Sequence, residues 1–165
     1  MTNTRHLIRQ ATESDYEQLC DLFEELDRLH RNARPDLFRK PAGAPRERSY
    51  VSNLIAGPGS AILVAADRGS RCLYGFATLI THRLAENPVR PERVFVEIDN
   101  FGVRRDMRRR GIGRALIDAA DQWAHQRGHS SVELAVHEFN ADAIRFYEAA
   151  GFASVLRRMA RKLAP

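Results

Sequence analysis

The stretch VFVEIDNFGVRRDMRRRGIGRALIDA, residues 94–119, passes from one hydrophobic pattern into another. Val94, Phe95, Val96 and Ile98 have the β-branched and aromatic content of a buried strand. Beyond the arginines, Ile112, Ala115, Leu116, Ala119, Ala120, Trp123 and Ala124 recur at the i, i+3, i+4, i+7 spacing of an amphipathic helix. Gly111 and Gly113 therefore fall at a strand-to-helix junction. A helix start presents N–H groups outside the hydrogen-bond ladder and the positive end of the macrodipole, and glycines admit a phosphate with no Cβ in its way. The junction reads as a pyrophosphate cradle. Its spacing, Arg108-x-x-Gly111-x-Gly113, is neither G-x-G-x-x-G nor the Gly-Lys-Ser/Thr loop of nucleoside triphosphate sites.

Toward the amino terminus, Leu7 to Arg9 form a short strand, and Thr12 or Ser14 is placed to cap a helix running to about Leu29. Its apolar face is Tyr16, Leu19, Cys20, Phe23, Leu26 and Leu29, and its acidic face holds Glu13, Glu17, Asp21, Glu24, Glu25 and Asp27. Pro35, Pro41 and Pro45 interrupt residues 30–48 and predict a long loop, with a second helix over 47–55. Residues 61–66 and 72–80 read as a hairpin, and the strand containing Glu97 follows a turn with two prolines. Toward the carboxyl terminus, 132–136 alternates as a strand and a helix follows Asn140, ended by Gly151. Residues 152–155 and 156–163 are expected as a final pair of strands. The order β-α-α-β-β-β-α-β-α-β-β predicts one mixed α/β domain over residues 1–165.

The 165 residues are 44% hydrophobic and 28% charged, a globular balance. No apolar run approaches the ~20 residues of a membrane span, and the first residues lack an apolar signal core, so a cytoplasmic protein without membrane attachment is expected. Cys20 and Cys72 lie far apart within apolar patterns, as reduced thiols do, and no metal site is indicated. Of the 26 basic residues only Lys40 and Lys162 are lysine. The cluster Arg104, Arg105, Arg108, Arg109 and Arg110 lacks the interleaved aromatics of a nucleic-acid surface, so a single phosphorylated ligand explains it more economically.

The junction resembles the acetyl-CoA-binding signature of the GNAT superfamily of N-acetyltransferases: Gln or Arg, two residues, Gly, one residue, then Gly or Ala. Asn140-Ala-Asp-Ala-x-x-Phe-Tyr147-Glu-x-x-Gly-Phe152 is similar to the second half of that pattern. The resemblance implies a central mixed, mostly antiparallel sheet flanked by helices. It also implies acetyl-CoA as cosubstrate and direct attack by a primary amine in a ternary complex. Backbone amides from Arg109 through Arg110, Gly111, Ile112 and Gly113 to Arg114 would hold the pyrophosphate, with Arg108 opening the motif. The strand edge at Phe101, Gly102 and Val103 would pair with pantetheine, and Asn140 would hold its arm. Tyr147 would protonate the departing thiolate; a phenol with pKa ~10 independently suits that task.

An alkylamine of pKa ~10.4 arrives protonated, so a base is needed. Glu97 stands where some family members carry a glutamate base, with Asp99, a water chain and, more weakly, His137 as alternatives. A bulge, common in the family's strand, changes which of Glu97, Asp99 and Asn100 face inward. An ordinary helix cap at Asn140, a core aromatic at Tyr147 and a surface carboxylate at Glu97 are the plain alternatives. A catalytically silent acyl-CoA-binding module and, less favoured, a basic nucleic-acid-binding protein are the rivals from other classes. Acids at Glu24, Glu25, Asp27, Glu97 and Asp99, set against the arginine-rich cofactor side, favour a cationic small molecule or peptide amine as acceptor. Residues 30–38 lie where the family places the acceptor wall, and a homodimer is compatible with the family.

Overall fold

A computed structural model describes residues 6–163. Two compact units are distinguished, Met1–Ala135 and Val136–Pro165. In the first, β1 (His6–Gln10), β2 (Ser60–Asp67), β3 (Leu73–Leu84), β4 (Arg93–Val103) and β5 (Val132–Leu134) form one sheet in that order. The first three pairings are antiparallel and β4–β5 is parallel, giving the expected mixed, mostly antiparallel sheet. The helices are α1 (Tyr16–Ala33), α2 (Arg48–Ala56) and α3 (Ile112–Gln126).

Residues 61–66 are buried without a break, because both faces of β2 are covered. On one face Ile62, Val64, Ala66, Leu73 and Phe76 pack with Leu19, Leu22 and Phe23 of α1 and Val51 and Leu54 of α2. Ala61, Leu63, Ala65, Ala77, Leu79, Val96 and Ile98 are buried on the other. There α3 lies across all five strands on Ile112, Leu116, Ile117, Ala120, Trp123 and Ala124. A single 3₁₀ turn, Glu13–Asp15, precedes α1. Buried Asp15 is held there by both Arg9 guanidinium nitrogens, at 2.7 and 2.8 Å, and by the Thr12 N–H at 2.7 Å. The helix runs four residues past the expected Leu29 and buries Leu22, which lies outside the face read from the sequence.

Register gives β4 its shape. Thr78 is level with Asn100 but Leu79 is level with Ile98, so Asp99 has no counterpart on β3 and forms a bulge. The buried Thr78 hydroxyl accepts from the Asn100 N–H at 2.8 Å and from Asn100 Nδ2 at 3.3 Å, which fixes the distortion. Glu97 opposite Ile80, Asn100 opposite Thr78 and Gly102 opposite Phe76 consequently share the α1/α2 face. Only Val96–Ile98 pair with β5. Beyond Ile98 no strand among the described residues covers the outer edge of β4.

The second unit contains α4 (Ala141–Ala149), followed by Gly151 in the left-handed region at φ 99°. The two strands expected over 152–163 are absent from the described residues: this segment has neither helix nor strand. Its alternation is mixed: one side carries Phe152, Leu156, Arg158 and Lys162, and the other Val155, Arg157, Met159, Arg161 and Leu163. Val155, Leu156, Met159 and Leu163 are exposed.

Candidate functional site

α3 begins at an unusual backbone. Gly111, its N-cap, is left-handed at φ 77° and ψ −3°, and Arg109 two residues earlier has φ 62°. A non-glycine residue there is strained by ~1–3 kcal/mol, and such strain concentrates at ligand clamps. The first helical bond from Gly111 O is donated by Ala115, so the N–H groups of Ile112, Gly113 and Arg114 precede the ladder. A side chain on Gly111 would meet no atom within 4 Å, so the turn is uncovered at that position. Arg109 and Arg110 are exposed beside it and make no ion pair among the described residues. Amides outside the ladder, a helix dipole and exposed guanidinium groups fit the pyrophosphate of acetyl-CoA.

The other arginines have structural work. Arg108 Nε donates to Val103 O at 3.0 Å and its Nη2 reaches Glu25 Oε1 at 3.4 Å. Arg104 forks onto Asp106 with two contacts of 2.7 Å, and Arg114 pairs with Asp118 one helical turn along. Glu25 also accepts the Arg105 N–H at 2.8 Å, so α1 holds the chain that leads into the anion loop. Gly102 belongs to the packing as well as to the edge, since a Cβ there would stand 3.0 Å from the Phe76 ring. Phe101, Gly102 and Val103 lie on the stretch of β4 whose outer edge no described strand covers, the geometry a pantetheine arm needs to add as a further strand.

Glu97 lies on the α1/α2 face, half-buried, with its Oε2 2.7 Å from His82 Nε2. The imidazole stacks on Phe95 with ring centroids 5.2 Å apart. His82 was not legible in the sequence, because it becomes Glu97's neighbour only through the β3–β4 register. Asp99 projects from the bulge, exposed, and accepts from Tyr50 Oη at 3.3 Å. Three acids behind the expected cationic acceptor are already engaged. Glu24 binds Arg31 at 2.6 Å, Asp27 binds Arg46 at 2.9 Å and Glu25 is held as described. Much of the acidic field on that side is thereby neutralised.

In the second unit Asn140 caps α4, its Oδ1 accepting the Ala143 N–H at 3.3 Å. Tyr147 packs against Phe146 and, edge-on, against Phe152 at 5.8 Å. Burial pushes its phenol up to about 12, so it stays protonated at neutral pH. His137 stacks with Phe139 in the same unit.

The acetyltransferase (GNAT) family model matches residues 10–152. An aminoglycoside N(6')-acetyltransferase of Klebsiella aerogenes is 30% identical over 106 residues, 64% of this chain and 67% of that protein. An uncharacterized N-acetyltransferase of Methanocaldococcus jannaschii is 46% identical over 61 residues, 37% of this chain, and the match spans only 27% of that protein's length. Among solved structures, a tetramutant of the BH1408 protein from Bacillus halodurans has a TM-score of 0.90 at 26% identity, over 95% of this chain and 99% of that one. The aminoglycoside N-acetyltransferase AAC(6')-Iy, solved in complex with CoA, shares the fold with a TM-score of 0.74 at 18% identity, over 96% and 94% of the two chains. The chain therefore belongs to the acetyltransferase (GNAT) family, a family of acyltransferases whose donor is acetyl-CoA.

Proposed function

We propose that the chain works as a single N-acetyltransferase domain, moving an acetyl group from acetyl-CoA to a primary amine of a small molecule or peptide by direct attack. One observation carries the reading. The strand whose outer edge loses its neighbour beyond Ile98 leads directly to the open helix start at Gly111, so thioester arm and pyrophosphate have consecutive berths on one piece of chain. The donor supplies the thioester carbonyl. Backbone amides of Ile112, Gly113 and Arg114, with Arg109 and Arg110, hold its phosphates. The β4 edge at Phe101, Gly102 and Val103 orients the arm, and Asn140 Nδ2 contributes a donor.

Glu97 serves as the base. It faces the α1/α2 side of the sheet, with His82 Nε2 2.7 Å from its Oε2, a close approach without hydrogen-bond geometry. Glu97 takes the ammonium proton, directly or through one water, and only then does the freed amine attack the carbonyl; the second proton, shed by nitrogen once the C–N bond has formed, passes to solvent. As the C–S bond breaks, the Tyr147 hydroxyl gives its proton to sulfur, a role supported by a phenol that remains protonated across the neutral range. Neither Cys20 nor Cys72 is needed as a nucleophile; both are free and half-buried.

Coenzyme A thiol release tests this across a panel of amines. Tyr147→Phe is expected to lower turnover by roughly 10²–10⁴, the contribution of a positioned proton donor, with acetyl-CoA affinity retained. Full activity in that variant would refute Tyr147 as the acid. Acetyl-CoA binding without thiol release for any amine would instead point to a silent binding module.

A further inference from the structure

Residues 34–47, between α1 and α2, wall a cleft of about 650 Å³, the volume of a small-molecule site. Its charge is lopsided. Arg31, Arg39, Lys40 and Arg46 line it against Asp27 as its one acid. Two of the cations are matched: Arg31 by Glu24 at 2.6 Å and Arg46 by Asp27 at 2.9 Å. Arg39 and Lys40 are exposed and make no ion pair among the described residues. Lys40 lies near enough to Glu24 to interact with it electrostatically, but cations still outnumber acids along this concave wall, where the field is concentrated.

The cleft adjoins the region of the proposed base. Arg46, which lines it, stacks 4.6 Å over the Phe23 ring and sends Nη2 to Asn100 Oδ1 at 3.3 Å, the residue that follows the β4 bulge. Asn100 and Glu97 share the α1/α2 face. The wall is also prearranged. The N–H groups of Leu37 and Phe38 both return to Arg34 O at 3.0 Å, and Pro41 and Pro45 fix two φ angles along it. Phe38, tilted against His30 at 5.2 Å, offers the apolar surface.

Resting on the acetyltransferase reading above, we infer that the acceptor is an amine whose molecule also carries an anionic group, a carboxylate or a phosphate, which Arg39 and Lys40 hold in this cleft. A guanidinium and an ammonium together favour such a group and repel a polycation, so the wall selects for charge as well as size.

Matched acceptors give the test: amino acids and dipeptides against their carboxamides, O-phosphoethanolamine against ethanolamine, and one aminoglycoside. In each pair the anionic member should show at least about a fivefold higher kcat/KM at low salt, through KM. The Arg39→Gln/Lys40→Gln double variant should erase that preference without altering the KM for acetyl-CoA, as expected for partly exposed charge-assisted bonds. Whether the carboxylate or phosphate pair responds more strongly identifies which anion is held. Preferred transfer to the aminoglycoside, or a preference unchanged in the double variant, overturns the inference while acetyl transfer stands. A protein that binds acetyl-CoA but acetylates none of these amines overturns both.

Discussion

Both ends of α3 are closed by a left-handed glycine, which makes a controlled experiment available. Gly111 before the helix and Gly128 after it each have φ 77°, both are exposed, and a side chain on either would meet no atom within 4 Å. Replacing either with alanine introduces the same conformational penalty, ~1–2 kcal/mol for an L-residue in the left-handed region, with no clash to add. Against the ~5–15 kcal/mol that stabilise an ordinary domain, both variants stay folded. At this chain length each should lose roughly 2–8 °C in Tm. Only Gly111 belongs to the turn that presents the amides of residues 112–114, so only there does the backbone strain bear on the proposed phosphate site. Loss of one charge-assisted hydrogen bond there, ~1.5–3 kcal/mol, raises the Kd for acetyl-CoA by at least about tenfold, whereas Gly128→Ala leaves it unchanged. Melting curves and calorimetry on the two variants measure both quantities. Equal acetyl-CoA affinity in Gly111→Ala and Gly128→Ala, with the Tm losses matched, would refute the phosphate cradle.

Glu97→Gln is expected to lower kcat/KM and flatten the acidic limb of its pH profile, while His82→Gln keeps the limb. An unaltered profile in Glu97→Gln would move the base to Asp99 or to water. The Arg9–Asp15 pair predicts acid sensitivity: hydrogen bonding from Arg9, aided by Thr12, holds the Asp15 carboxyl below the usual carboxylate range despite its burial. Its contribution is therefore present above about pH 4 and is lost as pH falls through the folded value. Arg9→Met should cost on the order of 2 kcal/mol in urea unfolding at pH 7 and markedly less near pH 2.5, and a difference independent of pH would be evidence against the pair.

The strand-to-helix junction was legible because two periods, 2 and 3.6, meet within 26 residues and two glycines mark the boundary. The cap at Asn140, the hairpin of β2 and β3 and the second helix were legible for similarly local reasons. What escaped the sequence depends on partners far along the chain. Asp27 meets Arg46 nineteen residues away, and Glu25 meets the backbone of Arg105, so a row of acids that reads as an open field is largely paired. Leu22 escaped because α1 buries a wider stripe than a minimal 3.6-residue pattern requires. Apolar residues at 155, 156, 159 and 163 suggested strands, but β structure requires a neighbouring backbone as well as propensity, and no strand forms there among the described residues.

Asp99 is a supernumerary letter in β4. With it struck out, residues 93–98 and 100–103 read as one unbroken alternation in which Glu97, Asn100 and Gly102 keep the same side and Val96, Ile98, Phe101 and Val103 keep the other. The bulge therefore redirects the strand without exchanging its faces, and direction and side-chain content are encoded separately. A chain one residue shorter at this point would retain every neighbour across the ladder and lose only the bend, whereas substituting Asp99 would retain the bend and alter one exposed carboxylate.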